Sequence, residues 1–405
     1  MTASAPAVEE AIAPARPAAV PAADRIELLD ALRGFALFGI LLANILYWSG
    51  WIFMPAADRV SLAGAREVEW QHFFHHFFVD GKFYTLFSLL FGMGFSLQLA
   101  RLARRGLDGV RLYRRRLVAL LVIGLLHMVL VWDGDILTLY ALLGLLLPLF
   151  RDWSERDLLI AAAALILAPL VGVTLFQALQ WEPHRFFYGL GDSIGAALGG
   201  TPGSEIAWLR RDDPQAFFAW LMGGWPYRPG TFLESWRIPK VLGIMLLGLA
   251  AGRRLAAGRL FEDRRMMRWI LVAGLAVGVP LNWVYAGTPG LSQASVPAIL
   301  GTIPMALAYA AGFVLLWPHA RPFLSWLGPP GRMALTNYLM HSLLGIVIFY
   351  GIGFGLVGRL SPAEYYGVAA AIFLAQVVIS RLWLARFEQG PMERLWRLAT
   401  YGRRS

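Results

Sequence analysis

The chain has 405 residues, 58% of them hydrophobic and only 15% charged, against roughly 25% charged in a soluble protein. A net charge of +10 would suggest nucleic acid in a soluble protein. Here the arginines cluster between apolar runs, as cytoplasmic loops that meet anionic lipid headgroups do, so membrane lipid and no nucleic acid is the expected partner. The absence of cysteine excludes disulfides, thiolate metal sites and cysteine nucleophiles.

Residues 1–24 are rich in Ala and Pro and lack a basic start followed by an apolar core. They predict a disordered cytoplasmic tail and not a cleaved signal peptide. Residues 25–386 read as an all-α polytopic membrane domain. Spans of about 20 apolar residues are placed at about 32–52, 83–101, 117–132, 136–150, 158–178, 239–255, 267–286, 296–317, 333–356 and 364–384, ten transmembrane helices in all.

The arginines set the topology. Seven lie in 101–116 and six in 252–268; Arg321 and Arg332 flank the ninth span, and Arg386, Arg394, Arg397, Arg403 and Arg404 follow the tenth. An even number of spans puts all of these on one side, with the N- and C-termini, and the positive-inside rule makes that side cytoplasmic. A multi-pass membrane protein with both termini on the cytoplasmic side follows. The other side receives 53–82, the turn 133–135, the large extracytoplasmic loop 179–238, and the connections 287–295 and 357–363. Residues 387–405 form a cytoplasmic amphipathic tail whose helix starts at Pro391. No internal repeat is visible, which argues against a transporter built from inverted repeats.

Polar side chains inside apolar spans are costly and are read as functional by default. Arg33 and Asn44 lie eleven residues apart, close to three turns, and share a face of the first span. Arg33 either pairs with Asp30 and snorkels to the surface, or contacts an anion such as a cofactor phosphate. Lys82 and Thr85 open the second span at its outer edge, as interfacial anchors or substrate contacts, and Gly92 and Gly94 further along allow close helix approach. His72, His75 and His76 fall in the outer segment; His72 and His76 share a face if helical, but no third ligand is specified and no metal is expected.

His127 lies in a run with no other ionisable side chain, six residues before Asp133-Gly134-Asp135. It is either a neutral imidazole satisfied by a neighbour, or a general base oriented by Asp133 or Asp135. The two carboxylates also suit the N-terminus of the following helix. Loop 179–238 carries Trp181, His184, Phe186, Phe187, Tyr188, Trp208, Trp220, Trp225 and Trp236. It reads as an interfacial aromatic belt or as a lid that stacks on sugar or lipid headgroups. In the ninth span Thr336, Asn337 and His341 cluster, either as glue between helices or as ligand contacts.

These same segments resemble the YeiB-like bacterial inner-membrane proteins, a domain-of-unknown-function family. The stretches that carry the resemblance are LLDALRGFALFGILLANI at 28–45, KFYTLFSLLFGMGF at 82–95, IGLLHMVLVWDGDILTLYALLG at 123–144, GRMALTNYL at 331–339 and FEQGPMERLWRLATYG at 387–402. They run in order along nearly the whole chain, and 179–238 matches poorly. His341 stands where the family often has Gln, which argues against a catalytic role for it. The N-terminal pattern is also similar to that of membrane acyltransferases such as the heparan-glucosaminide N-acetyltransferases, which share an acidic residue followed by Arg-Gly, here Asp30, Arg33 and Gly34. Those enzymes deliver an acyl group from cytoplasmic acyl-CoA to a sugar across the membrane. Their catalytic histidine lies in the first outer loop, which corresponds to the neighbourhood of 53–82 and does not pick out one of His72, His75 and His76.

The leading expectation is therefore an acyltransferase of the cell envelope, O- or N-directed, with acyl-CoA as donor and an extracytoplasmic glycan or glycolipid as acceptor. Arg33, Arg332 and Asn337 would hold the cofactor, His127 with Asp133 and Asp135 would be catalytic, and Asn44, Lys82, Thr85 and His341 would meet the substrate. A transporter or flippase of a small or lipid-linked solute, or a non-catalytic envelope protein, stays open, and the sequence leaves room for a homo-oligomer.

Overall fold

A computed structural model describes residues 22–103, 106, 108–200 and 203–402. The described chain is helical, in the order α1 (Ala22–Trp48), α2 (Ala56–Ala63), α3 (Ala65–Phe74), α4 (Lys82–Ala103), α5 (Gly109–Leu130), α6 (Leu137–Gly144), α7 (Glu155–Ala178), α8 (Pro183–Ala197), α9 (Glu205–Leu209), α10 (Pro214–Gly224), α11 (Tyr227–Glu234), α12 (Arg237–Ala256), α13 (Arg264–Gly287), α14 (Val296–Leu324), α15 (Gly328–Arg332), α16 (Ala334–Phe349), α17 (Pro362–Leu384) and α18 (Pro391–Tyr401). The expected tail 1–24 lies outside the described residues as far as residue 21, and α1 begins at Ala22. Residues 403–405 of the C-terminal tail also lie outside them.

Each of the ten apolar segments contains helix, and six stretches are long and apolar enough to cross a membrane: Glu27–Trp48, Ala65–Ala103, Glu155–Ala178, Arg264–Gly287, Val296–Arg332 and Pro362–Leu384. The protein is a helical membrane protein. The other segments fall short for definite reasons. Arg111, Arg114, Arg115 and Arg116 occupy the first turns of α5, and Arg237, Lys240, Arg253 and Arg254 occupy the ends of α12. The apolar helices Leu137–Phe150 and Ala334–Phe349 are short. The ninth segment was expected to run to 356, but Tyr350 turns extended and the Gly-rich run beyond it folds back, so that Phe354 N–H donates to Val347 C=O at 2.8 Å and Val357 N–H to Phe349 C=O at 2.7 Å.

Helix α1 is the axis of the fold. Ala31, Ala36, Leu37, Leu41 and Ile45 are fully buried, and α1 packs on α4, α15, α16 and α17. By contrast, Val171 of α7, Trp269 of α13 and Leu382 of α17 leave large apolar side chains outward, as helices facing lipid do. Two close approaches fix the interior. A Cβ at Gly92 of α4 would stand 2.0 Å from the Met245 carbonyl oxygen, and one at Gly248 of α12 2.2 Å from that of Leu89. A Cβ at Gly34 would likewise meet the Leu327 carbonyl oxygen at 2.0 Å, and one at Gly331 that of Asp30 at 1.8 Å. Only glycine lets these backbones touch. Gly94 has open space beside it instead.

Helix starts follow their caps. The Asp108 carboxylate accepts the Arg111 N–H at 3.0 Å, the Ser154 hydroxyl oxygen accepts the Asp157 N–H at 3.1 Å, and Ser361 with Glu364 forms a capping box. Loop 179–238 is folded: α10 and α11 each pack on α8, over the end of the bundle where α5 meets α6.

Candidate functional site

Two cavities open along α1. The first, about 470 Å³, is lined by Asn44 and Tyr47 of α1, by Trp132, Asp133 and Gly134, and by the folded loop through Asp192, Glu205, Trp208, Trp220, Tyr227 and Arg228. The second, about 350 Å³, has Arg33, Arg116, Arg332, Gln98, Glu393 and Trp396 around it and an apolar wall of Ile40, Phe87, Phe91, Leu117, Leu120 and Leu137. We call them the tryptophan cavity and the arginine cavity. The shared face expected for Arg33 and Asn44 is present, and it delivers one residue to each cavity, about 16 Å apart along the helix.

A single polar layer separates them. Asp133 and Gly134 line one cavity, Ile136 and Leu137 line the other, and Asp135 between them is fully buried. One Asp135 oxygen accepts the Thr138 N–H at 2.8 Å, which caps the start of α6; the other lies 2.9 Å from His127 Nδ1. His127 Nε2 lies 3.0 Å from the Ser342 hydroxyl of α16, and all three residues are buried. The carboxylate accepts the Nδ1 proton in this network, which leaves the Nε2 lone pair toward Ser342. A carboxylate that fixes the tautomer of an imidazole next to a hydroxyl is the arrangement of general-base chemistry.

The layer is tied to both cavities. Tyr338, one turn before Ser342, lines the arginine cavity; its hydroxyl oxygen accepts the Ile136 N–H at 3.3 Å and its ring lies 5.5 Å from that of His127. From the other side, Arg228 Nε donates to the Asp135 carbonyl oxygen at 2.5 Å, and the Tyr47 hydroxyl donates to Asp133 at 2.5 Å. Asp133 therefore does not cap α6. Burial raises its carboxyl above the usual 3.8, and its second oxygen is buried with no hydrogen-bond partner among the described residues. Burial, and then the neighbouring Arg237, lower the Arg228 guanidinium to about 10.

Around the arginine cavity, Arg33 pairs with Asp30 at 2.5 Å. Arg116 donates to Gln98 at 2.7 Å and stacks 4.1 Å over Trp396, and Arg332 donates to the Glu388 carbonyl oxygen at 3.1 Å. Glu393 of α18 accepts the N–H groups of Leu335 and Thr336 at 2.7 and 3.1 Å and the Thr336 hydroxyl at 2.5 Å, so it caps α16 from another helix.

Of the outer-segment histidines, His75 lines the tryptophan cavity; the other residues singled out in the sequence stand apart from both cavities. Asn337 donates to Ser380 at 3.0 Å, and His341 meets Gln376 at 2.7 Å, which in turn donates to the Asn337 carbonyl oxygen at 3.1 Å. These contacts join α16 to α17. The Thr85 hydroxyl donates to the Gly81 carbonyl oxygen. Lys82 and Lys240, the only lysines among 36 basic residues, are both buried. Lys82 Nζ donates to the His76 carbonyl oxygen at 2.5 Å and Lys240 Nζ to that of Gln293 at 2.9 Å. The Asp80 carboxylate accepts from Tyr285 at 2.5 Å and from Gln293. The His72 and His76 rings share a face, 4.2 Å apart. Among the described residues no group of three or more His, Asp or Glu converges as metal ligands.

Sequence reasoning missed Ser342, Tyr338, Tyr47, Arg228 and Glu393. Ser342 and Tyr338 carry one available signal: with His341 and Asn337 they make four polar or aromatic residues in six of an apolar span. Arg228 and Glu393 carry none, because their partners are remote in sequence.

Residues 251–403 match the family described as Protein of unknown function (DUF418). Over most of its length the chain is similar to the uncharacterized protein YxaH of Bacillus subtilis (strain 168), 33% identical over 394 residues that cover 93% of this chain and 94% of that one. It is 31% identical to an uncharacterized 39.9 kDa protein in the amylase 3′ region of Bacillus acidopullulyticus, with 94% and 95% covered. It is 29% identical to the uncharacterized protein YeiB of Escherichia coli (strain K12), with 93% and 96% covered.

Proposed function

The chain belongs to the YeiB-like family, and we propose that it is a membrane acyltransferase that moves an acyl group from cytoplasmic acyl-CoA to an extracytoplasmic glycan or glycolipid. In this reading it crosses a bacterial inner membrane ten times with both termini in the cytoplasm, and the arginine cavity faces the cytoplasm. The arginine-rich starts of α5 and α13 support that orientation.

The observation that carries the proposal is the His127–Asp135 pair, held between a cavity rimmed by arginines and a cavity walled by tryptophans. Arg33 and Arg332 suit donor phosphates, and the apolar wall above them suits a pantetheine arm or an acyl chain. Trp208 and Trp220, with the carboxylates of Asp133, Asp192 and Glu205, suit a polyhydroxylated acceptor. The residues fit acyl-CoA as a donor substrate: the group supplies an activated acyl carbonyl, His127 manages the proton, and the buried layer excludes water.

A transporter or flippase is the second reading, favoured by the two cavities meeting at one closed layer. The experiment that separates them is transfer of label from [¹⁴C]acetyl-CoA or [¹⁴C]palmitoyl-CoA to lipid and glycan fractions of bacterial membranes. Purified protein should transfer label, and His127→Ala should transfer about 10²–10⁴-fold more slowly. Wild-type protein that consumes neither thioester removes the acyltransferase reading.

A further inference from the structure

We propose that Ser342 is the nucleophile, and that the acyl group crosses the buried layer as an ester on its hydroxyl. The proposal rests on the acyltransferase reading and adds a covalent intermediate to it.

What marks Ser342 is where its hydroxyl goes. The buried hydroxyls of Thr85 and Ser88 donate back to carbonyl oxygens four residues earlier, at 2.7 Å each, the ordinary way to satisfy a hydroxyl in an apolar helix. Ser342 instead pairs at 3.0 Å with a histidine 215 residues away, and that histidine is fixed on its other nitrogen by Asp135 at 2.9 Å. Nucleophile, base and orienting carboxylate are thus all within hydrogen-bond reach, in one buried layer. Tyr338 supplies the approach. It shares a helix face with Ser342, lines the arginine cavity, and its hydroxyl oxygen already accepts the Ile136 N–H, so a further acceptor would take its own proton. A thioester carbonyl at the end of the arginine cavity would take that proton as a hydrogen bond. Ser342 lies one turn, about 5.4 Å, beyond, and the Tyr338 ring must move aside as the thioester advances.

The chemistry balances. His127 Nε2 takes the Ser342 proton as Oγ attacks the thioester carbonyl carbon; the C–S bond breaks, and the coenzyme A sulfur leaves with the proton from His127. In the second half an acceptor hydroxyl from the tryptophan cavity gives its proton to His127 and its oxygen attacks the ester carbonyl carbon. The Ser342 oxygen leaves and recovers the proton.

The test needs no acceptor. Detergent-solubilised full-length protein is incubated with acetyl-CoA, or palmitoyl-CoA, and free [³H]CoA. A covalent intermediate moves tritium into the thioester, and denatured wild-type protein carries the acyl group on the peptide containing Ser342. Ser342→Ala should lose exchange about 100-fold or more, while Ser342→Cys should retain an acyl group that neutral hydroxylamine releases. Exchange by Ser342→Ala at the wild-type rate, or label transfer to membrane fractions by a wild type that shows no exchange, overturns the acyl-serine and leaves the acyltransferase standing. A wild type that shows neither exchange nor transfer overturns both.

Discussion

His127 and Asp135 share one hydrogen bond of 2.9 Å, and the second oxygen of the same carboxylate accepts the Thr138 N–H at 2.8 Å. One side chain thus starts a helix and sets a tautomer. Asp135→Asn keeps an acceptor for only one of these duties. Acyl transfer should fall about 10²–10⁴-fold, with the KM for acyl-CoA little changed. The double variant with His127→Ala should be no slower than His127→Ala alone, because residues that act as a unit are not additive. Steady-state rates of the three variants check this.

The arginine cavity predicts a different kinetic signature. Arg33→Gln and Arg332→Gln each remove a cation from its wall. Hydrogen bonds to charged groups contribute roughly 1.5–3 kcal/mol, so each change should raise the KM for acyl-CoA about tenfold or more while kcat changes less. The wild-type KM should also rise with salt, and the salt dependence should flatten in the variants. Titrations of rate against acyl-CoA at two ionic strengths decide the matter.

The sequence made some of this legible and hid the rest for identifiable reasons. The apolar runs and their arginine flanks located the helices, because length and hydropathy are local properties. His127 with Asp135 was within reach because both sit on the same hairpin. Ser342 was not, because its partner is 215 residues away and a serine in an apolar helix has a local alternative. Asn337 and His341 read equally as glue between helices or as ligand contacts, and their partners Ser380 and Gln376 on the next helix are visible only in the fold. Lysine and threonine at the start of α4 looked interfacial, while both are buried against backbone carbonyls. The segment 179–238 showed its aromatics but not that they fold over Asp133.

Asp133 gives a pH-dependent expectation. Its carboxyl lies above the usual 3.8 in the folded protein because it is buried. Between the unfolded and folded values the folded state binds more protons, so stability falls as pH rises through that window and stays lower above it. Asp133→Asn still offers an oxygen to the Tyr47 hydroxyl and carries no charge. Its unfolding temperature in detergent should exceed that of the wild type at about pH 7–8, and the difference should shrink toward about pH 4. A constant difference across that range would contradict this assignment.

The contact between α4 and α12 predicts a pair of opposite outcomes. A Cβ at Gly248 would stand 2.2 Å from the Leu89 carbonyl oxygen, a rigid backbone atom, whereas one at Gly94 meets nothing within 4 Å. Gly248→Ala should destabilise by about 1–3 kcal/mol, the usual effect of overpacking. Gly94→Ala should leave thermal unfolding nearly unchanged. Both are read from the same melting experiment.

The burial of Lys82 and Lys240 makes this protein nearly blind to amine chemistry while it is folded. A succinimidyl dye should stain little besides the chain's own amino terminus, and a lysine-directed protease should leave the native protein uncut. Once the helices part, both amines become reactive at the same time. Dye uptake at these two positions therefore reports unfolding directly, in detergent or in a vesicle, with no engineered probe.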